Sequence, residues 1–159
     1  MEQIISRLAA VLSAICLMSI GGVANAQSVE DQLSNIESQV SEQASQKGVS
    51  LVKVFNRKWY LGAGDEVDID LEELDGFQNY LVIGVCDIDC SGLGLTIESA
   101  VLTAPDEIEI EAQDISGTDM PMLEFFMVPL VSRYNLNVSM LECTTTICEY
   151  GIDIYRLDK

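Results

Sequence analysis

The chain has 159 residues, with 26 acids against 8 lysines and arginines, no histidine and a formal net charge of −18. A field of that sign repels polyanions, so nucleic acid and anionic lipid are excluded as partners: their proteins bind by neutralising phosphates with Lys and Arg. The missing histidine removes Ser–His and Cys–His nucleophile pairs, the commonest general base and histidine-ligated metals.

Residues 1–26 read as a signal peptide. Arg7 is the only base of a short leading region, and the apolar stretch Leu8–Ile20 is too short to cross a bilayer core of ~30 Å. Gly21 and Gly22 loosen the chain, and Ala24-Asn25-Ala26 supplies the small-x-small pattern of a cleavage site, leaving Gln27 first. Cys16 follows Ile15, where a lipoprotein needs a small residue. The expected location is periplasmic or extracellular, with no membrane insertion once the leader is cut.

Residues 27–48 form a helical leader. Ser28 is placed to cap it, with Asp31 three residues on as an approximate capping box. Val29, Leu33, Ile36, Val40 and Ala44 recur at spacings of three and four on one face, and Lys47-Gly48 ends the pattern. Such an amphipathic helix packs on the domain or remains a partly ordered leader. A self-associating coiled coil would have only about two and a half heptads to work with.

From residue 49 to 159 the period changes to two, and one domain's worth of chain remains. Val67–Leu71, Glu107–Glu111, Leu136–Met140 and Ile152–Tyr155 alternate apolar and polar residues, as half-buried strands with one wet face do. Tyr80–Val85 and Phe125–Val131 are denser in apolar residues, which marks central strands. Turn signals fall at Gly62-Ala63-Gly64, Asp75-Gly76, Ser91-Gly92, Ala104-Pro105-Asp106, Ser116-Gly117 and Tyr150-Gly151. About seven to nine short strands at roughly ten-residue spacing predict an all-β antiparallel sandwich or jelly roll preceded by one amphipathic helix.

Four cysteines fall in this region: Cys86, Cys90, Cys143 and Cys148. An even number behind an export signal reads as two disulfides. The short spacings favour local bridges, Cys86–Cys90 and Cys143–Cys148, with crossed bridges between neighbouring strands as the alternative. Redox and zinc chemistry fit poorly, since neither Cys-x-x-Cys nor a histidine is present.

Between Trp59 and Ser132 lie 17 acids and no Lys or Arg, while Lys47, Lys53, Arg57 and Lys58 gather just before. Partners, if any, are a cation or a basic protein surface; the plainer alternative is a solvated acidic coat. Calcium is the one cofactor class the acidic turns admit, through hard oxygen ligands. Asp87 and Asp89, flanking Ile88 inside the Cys86–Cys90 loop, are the leading candidates. Asp65, Glu66, Asp68 and Asp70, and Asp106-Glu107, are further acidic segments without EF-hand spacing. Carboxylate pairs alone do not make a glycosidase, and a single Trp59 offers little for a sugar cleft. No catalytic residue is assigned and no enzyme is expected. The Met120–Met127 run of methionines and phenylalanines reads as core.

The run Asn79–Leu95, NYLVIGVCDIDCSGLGL, resembles the bacterial pre-peptidase C-terminal domain family. Leu74-Asp75-Gly76 with Tyr80 matches the family's approach, and Tyr134–Val138 with Glu149–Tyr155 matches its closing hairpin. The Cys-Asp-x-Asp-Cys and Cys-x4-Cys-x-Tyr-Gly elements resemble a cysteine-bearing exported subgroup; coverage is about residues 58–157. Where the family carries Asp-Leu-Asp-Leu, this chain has Gly92-Leu93-Gly94-Leu95, so the acids that serve calcium-binding relatives are replaced there. The resemblance implies a small β-sandwich, an exported location and a role in binding, secretion or solubility without catalysis. The expected function is a non-catalytic binding or accessory module of the cell envelope; the alternative is a calcium-stabilised structural domain.

Overall fold

A computed structural model describes residues 28–101, 104–128 and 132–158. Residues 1–26, read as a signal peptide, lie outside the described residues. Helix α1 (Val29–Gln46) leads into eight strands: β1 (Ser50–Leu61), β2 (Glu66–Asp70), β3 (Asn79–Cys86), β4 (Cys90–Val101), β5 (Ala104–Thr118), β6 (Met122–Phe126), β7 (Ser132–Cys143) and β8 (Cys148–Asp158). They form two four-stranded sheets, β1-β8-β3-β6 (sheet A) and β2-β7-β4-β5 (sheet B), with antiparallel neighbours throughout. The first and last strands pair, and every connection but that from β4 to β5 crosses between the sheets, which is the topology of an eight-stranded jelly roll. The antiparallel sandwich with one leading helix is thus as the sequence predicts.

The inner core fills from both sheets: Ile69, Tyr80, Val82, Leu93, Leu95, Ile97, Leu136, Val138, Ile152 and Ile154 among others are all but fully buried. Tyr80 stacks on Phe125 at 5.4 Å between ring centroids and satisfies its hydroxyl by donating to the Asp75 carbonyl at 2.7 Å. A buried tyrosine needs such a partner for its polar end.

Helix α1 makes a third layer. Ser28 caps it, its Oγ accepting from the Asp31 amide at 3.2 Å and donating to the Asp31 carboxylate at 2.8 Å. Gly48 ends it at φ 72°, where a side chain would be strained. Val29, Leu33, Ile36 and Val40 pack on Leu81, Ile83, Val85, Tyr155 and Leu157 of sheet A. The apolar stripe is therefore covered by this domain, not by a second helix.

That docking overturns several expectations. Gly151 is mid-strand in β8, not a turn: a Cβ there would stand 2.6 Å from Val29 Cγ1 and 2.8 Å from Leu33 Cδ1, so its glycine makes room for the helix. Ile152–Tyr155 has no wet face, because one side meets the core and the other lies under α1. Asp153 is fully buried there. Its carboxylate accepts from Asn56 Nδ2 and from the Tyr155 hydroxyl at 2.7 Å, and pairs with Lys53 Nζ at 2.8 Å. Lys53 also reaches Glu37 of α1 at 2.6 Å, tying helix to sheet. A buried carboxylate is tolerated only with such full pairing. Burial alone would lower the Lys53 ammonium, but its hydrogen bonds to Asp153 and Glu37 outweigh that and raise it. Burial, reinforced by the bond to Asp153, pushes the Tyr155 phenol far above its ordinary range.

Other corrections are local. Ser91-Gly92 lies within β4, the turn falling instead on the residues just before Cys90. β3 is central, but β6 is an edge strand ending at Phe126. The Asp75-Gly76 turn forms with Phe77, not glycine, at φ 59°. The turn expected at Ala104–Asp106 is the start of β5.

Candidate binding surface

Both disulfides are local, Cys86–Cys90 and Cys143–Cys148, with Cα separations of 5.8 and 5.9 Å. Such bridges belong to an oxidising compartment, extracellular or periplasmic in kind. Cys90 pairs with Cys143 across β4 and β7, which sets the two loops side by side at one end of the sandwich. Asp87 fastens them. Its amide donates to the Glu149 carbonyl at 2.9 Å and its Oδ2 accepts from the Glu149 amide at 2.7 Å. The Asp89 carbonyl accepts from both the amide and the hydroxyl of Thr144, at 2.8 and 2.9 Å. Asp87 Oδ1 is shielded from solvent without a hydrogen-bond partner, and the Asp89 residue is exposed.

The two candidate calcium ligands are thus close in the chain but differently employed, Asp87 as a clamp and Asp89 as an open acid. Calcium takes six to eight oxygens, and among the described residues no group of three or more acids, cysteines or histidines converges as a metal site would require. Asp65 and Asp70 bind backbone amides locally, at Gly62 and Glu72. The side chain of Asp106 lies outside the described residues.

The larger feature is the outer face of sheet B, the side away from the core. Helix α1 covers the outer face of sheet A; among the described residues no element covers that of sheet B. Register places its side chains in rungs. One runs Asp70, Asn135, Glu98, Ile110, and the next Asp68, Asn137, Thr96, Gln113. A third joins Arg133, Ala100 and Ile108. Across the face, therefore, acids on β2 give way in the middle to amides and hydroxyls, with Glu98 as an acid among them, and then to isoleucines on β5. Asn137 Nδ2 donates to Asp68 at 2.9 Å and to Glu66 at 3.3 Å, holding the acidic border in place. A shallow depression of about 440 Å³ lies among Glu98, Ala100, Val101, Ile108, Arg133 and Asn135.

The isoleucines reach this face through a β-bulge. Ile97 faces Ala112, but the next residue, Glu98, faces Ile110, so Glu111 is the extra residue. One inserted residue reverses the facing of everything beyond it. Ala112 packs on the core, whereas Ile108 and Ile110 turn outward and are 63% and 60% exposed. The alternation expected at Glu107–Glu111 is present, but the apolar set is not inside: all five residues are exposed. Nothing in a period-two pattern marks a bulge.

Charge is divided between the two sides. Lys53 and Lys58 pair with Glu37 and Glu30 of α1, Arg156 pairs with Asp75 and Asp158, and Arg57 lies over the Trp59 ring at 4.8 Å. Among the described residues Arg133 alone is basic on the open face, and it is engaged with Glu72 at 2.8 Å. Among the described residues no base forms an ion pair with Glu66, Asp68, Asp70, Glu98, Glu107 or Glu109. The face is a fixed acidic field beside exposed aliphatic side chains.

No family model matches the chain, and no curated protein matches it. Among solved structures it is similar to a chain of infectious bursal disease virus Gx strain, at 13% identity and a TM-score of 0.30, over 67% of this chain and 33% of that one. A chain of the Gt strain of the same virus matches at 9% identity and a TM-score of 0.24, over 69% and 42%. The matched region thus spans about a third to two fifths of those longer chains.

Proposed function

We propose that this protein is an exported, non-catalytic binding module of the cell envelope, acting through the open face of sheet B on a cationic protein surface. One observation carries the reading: α1 and the bases of sheet A neutralise one side, while sheet B presents uncompensated acids beside exposed isoleucines. Complementary charge of this kind governs encounter and partner choice, and the aliphatic strip supplies surface to desolvate. The resemblance to pre-peptidase C-terminal domains agrees with a binding role.

The test is binding of a lysine homopolymer of about twenty residues, followed by fluorescence anisotropy in low and moderate salt. The face variant Asp68→Asn/Asp70→Asn/Glu98→Gln should lose most of the affinity. A variant of equal charge change placed elsewhere, Glu42→Gln/Asp119→Asn/Glu149→Gln, should keep it. Equal losses in both would reduce the acids to a solvated coat.

A second reading, a calcium-stabilised structural domain, rests on the shielded, unpaired Oδ1 of Asp87. A calcium-specific rise in melting temperature over magnesium, lost in Asp87→Asn/Asp89→Asn, would favour it. Equal melting in calcium and EDTA would remove it.

A further inference from the structure

Strand β5 is the outer strand of sheet B. From Glu107 to Gln113 its backbone bonds only to β4, and among the described residues no turn, loop or other strand takes up its second side. Beyond that stretch the chain is tied down. Asp114 Oδ2 accepts from the Met122 amide at 2.9 Å and its Oδ1 from the Ser116 amide at 3.2 Å, where the chain leaves for β6. A row of unpaired amides and carbonyls is a template for another strand.

The side chains on that edge restrict what can join it. Ile108 and Ile110 point to the outer face, level with Ala100 and Glu98. Glu109 points to the other side, level with the buried Ser99, and the bulged Glu111 accepts a hydrogen bond from the Ser99 hydroxyl at 2.6 Å. A strand laid alongside must therefore alternate: apolar residues beside the isoleucines, and cationic residues beside the glutamates, since directly opposed pairs decide pairing energy. A second copy of this chain is a poor occupant, because β5 against β5 sets glutamate near glutamate.

Resting on the reading of sheet B as a binding face, we propose that β5 receives an extended segment of a partner protein in which basic and apolar residues alternate. The segment adds to sheet B over Glu107–Ile110 as a fifth strand. Main-chain hydrogen bonds hold it, and the alternating side chains select it.

The probe is a synthetic peptide of about ten residues alternating lysine and valine, compared with one of the same charge whose valines are prolines, which cannot donate to a ladder. Binding is measured by anisotropy, and amide exchange of residues 107–111 is read by NMR in the oxidised protein. The expected result is binding of the valine peptide, slowed exchange confined to β5, and at least about tenfold weaker binding of the proline peptide. Ile110→Lys, at an exposed position, should weaken the valine peptide by a similar factor. Equal binding of both peptides without protection of β5 overturns strand addition and leaves the cationic-partner reading standing. Failure of both peptides to bind overturns both.

Discussion

Replacing Gly151 with alanine tests whether α1 is seated on β8. The added methyl carbon would stand 2.6 Å from Val29 Cγ1 and 2.8 Å from Leu33 Cδ1, well inside the ~3.5–4.0 Å at which carbons rest against each other. Overpacking of this size costs about 1–3 kcal/mol. The backbone at Gly151 has no positive φ, so without the helix an alanine would instead stabilise the strand by about 0.4–1 kcal/mol, through a less flexible unfolded chain. The sign of the effect therefore reports the docking. With α1 in place we expect a net loss of about 1–2 kcal/mol, seen as a fall in melting temperature of roughly 3–8 °C. Urea titration of the oxidised protein would measure it. In a Val29→Ala/Leu33→Ala background, less stable in itself, the added loss should vanish or reverse, so that the combined loss in a double-mutant cycle is smaller than the sum of the separate ones. A Gly151→Ala protein as stable as the parent, or more so, would refute the packing argument.

Asp153→Ala should cost about 3–5 kcal/mol by stranding Tyr155, Asn56 and Lys53 without their shared acceptor, measured by the same titration. Lys53 and Tyr155 both bind their protons more tightly in the folded protein, so their contribution is whole below the unfolded values of about 10 and is lost as pH rises past them. Melting temperature should accordingly fall above pH ~10, and less steeply in Tyr155→Phe. Burial, only partly opposed by Lys47, raises the Glu124 carboxyl; by the same sign its contribution is lost as pH rises through the folded value. Glu124→Gln should therefore melt higher at neutral pH and show a weaker gain on acidification. Removing either disulfide, as Cys86→Ala/Cys90→Ala or Cys143→Ala/Cys148→Ala, should cost about 2 kcal/mol from loop-closure entropy for so short a loop, read by denaturation without reductant.

The elements whose pattern depends only on their own residues were legible. The five apolar positions of α1 are the five buried ones, because helical spacing alone selects the face. The disulfides follow from loops short enough to close on themselves. What was not legible depends on neighbours remote in sequence. Tyr150-Gly151 has turn composition, and only the approach of Val29 and Leu33 makes the glycine a packing residue. Asp153 alternates with isoleucines like a solvent-facing acid, yet α1 covers it. Ile108 and Ile110 alternate like inward residues, yet the Glu111 bulge turns them out. The open face of sheet B could be named only once the position of α1 was known.

The departures at Gly151 and Asp153 have one origin, while the bulge at Glu111 accounts for the isoleucines. A sandwich has two outer faces, and an alternating strand does not record which of them will meet water. In this chain α1 settles the matter by occupying sheet A, and the bases follow it: Lys53 and Lys58 of β1 serve glutamates of the helix. The long acidic stretch after Trp59 then has few local counter-charges, and it builds much of sheet B. Like-charge repulsion across Glu66, Asp68 and Asp70 costs some stability, though solvent screens it. A coat needed only for solubility could be spread over the whole surface. Concentrating the acids on the uncovered sheet, next to two outward isoleucines and an unpaired strand edge, favours a face built to meet a basic partner. Moving charge tests this directly: Glu107→Lys/Glu109→Lys should leave melting temperature nearly unchanged, since both side chains are exposed, while abolishing binding of cationic peptides. Undiminished binding by that variant would overturn strand addition at the β5 edge and leave the charge of the outer face, read by the Asp68→Asn/Asp70→Asn/Glu98→Gln variant, as the remaining site.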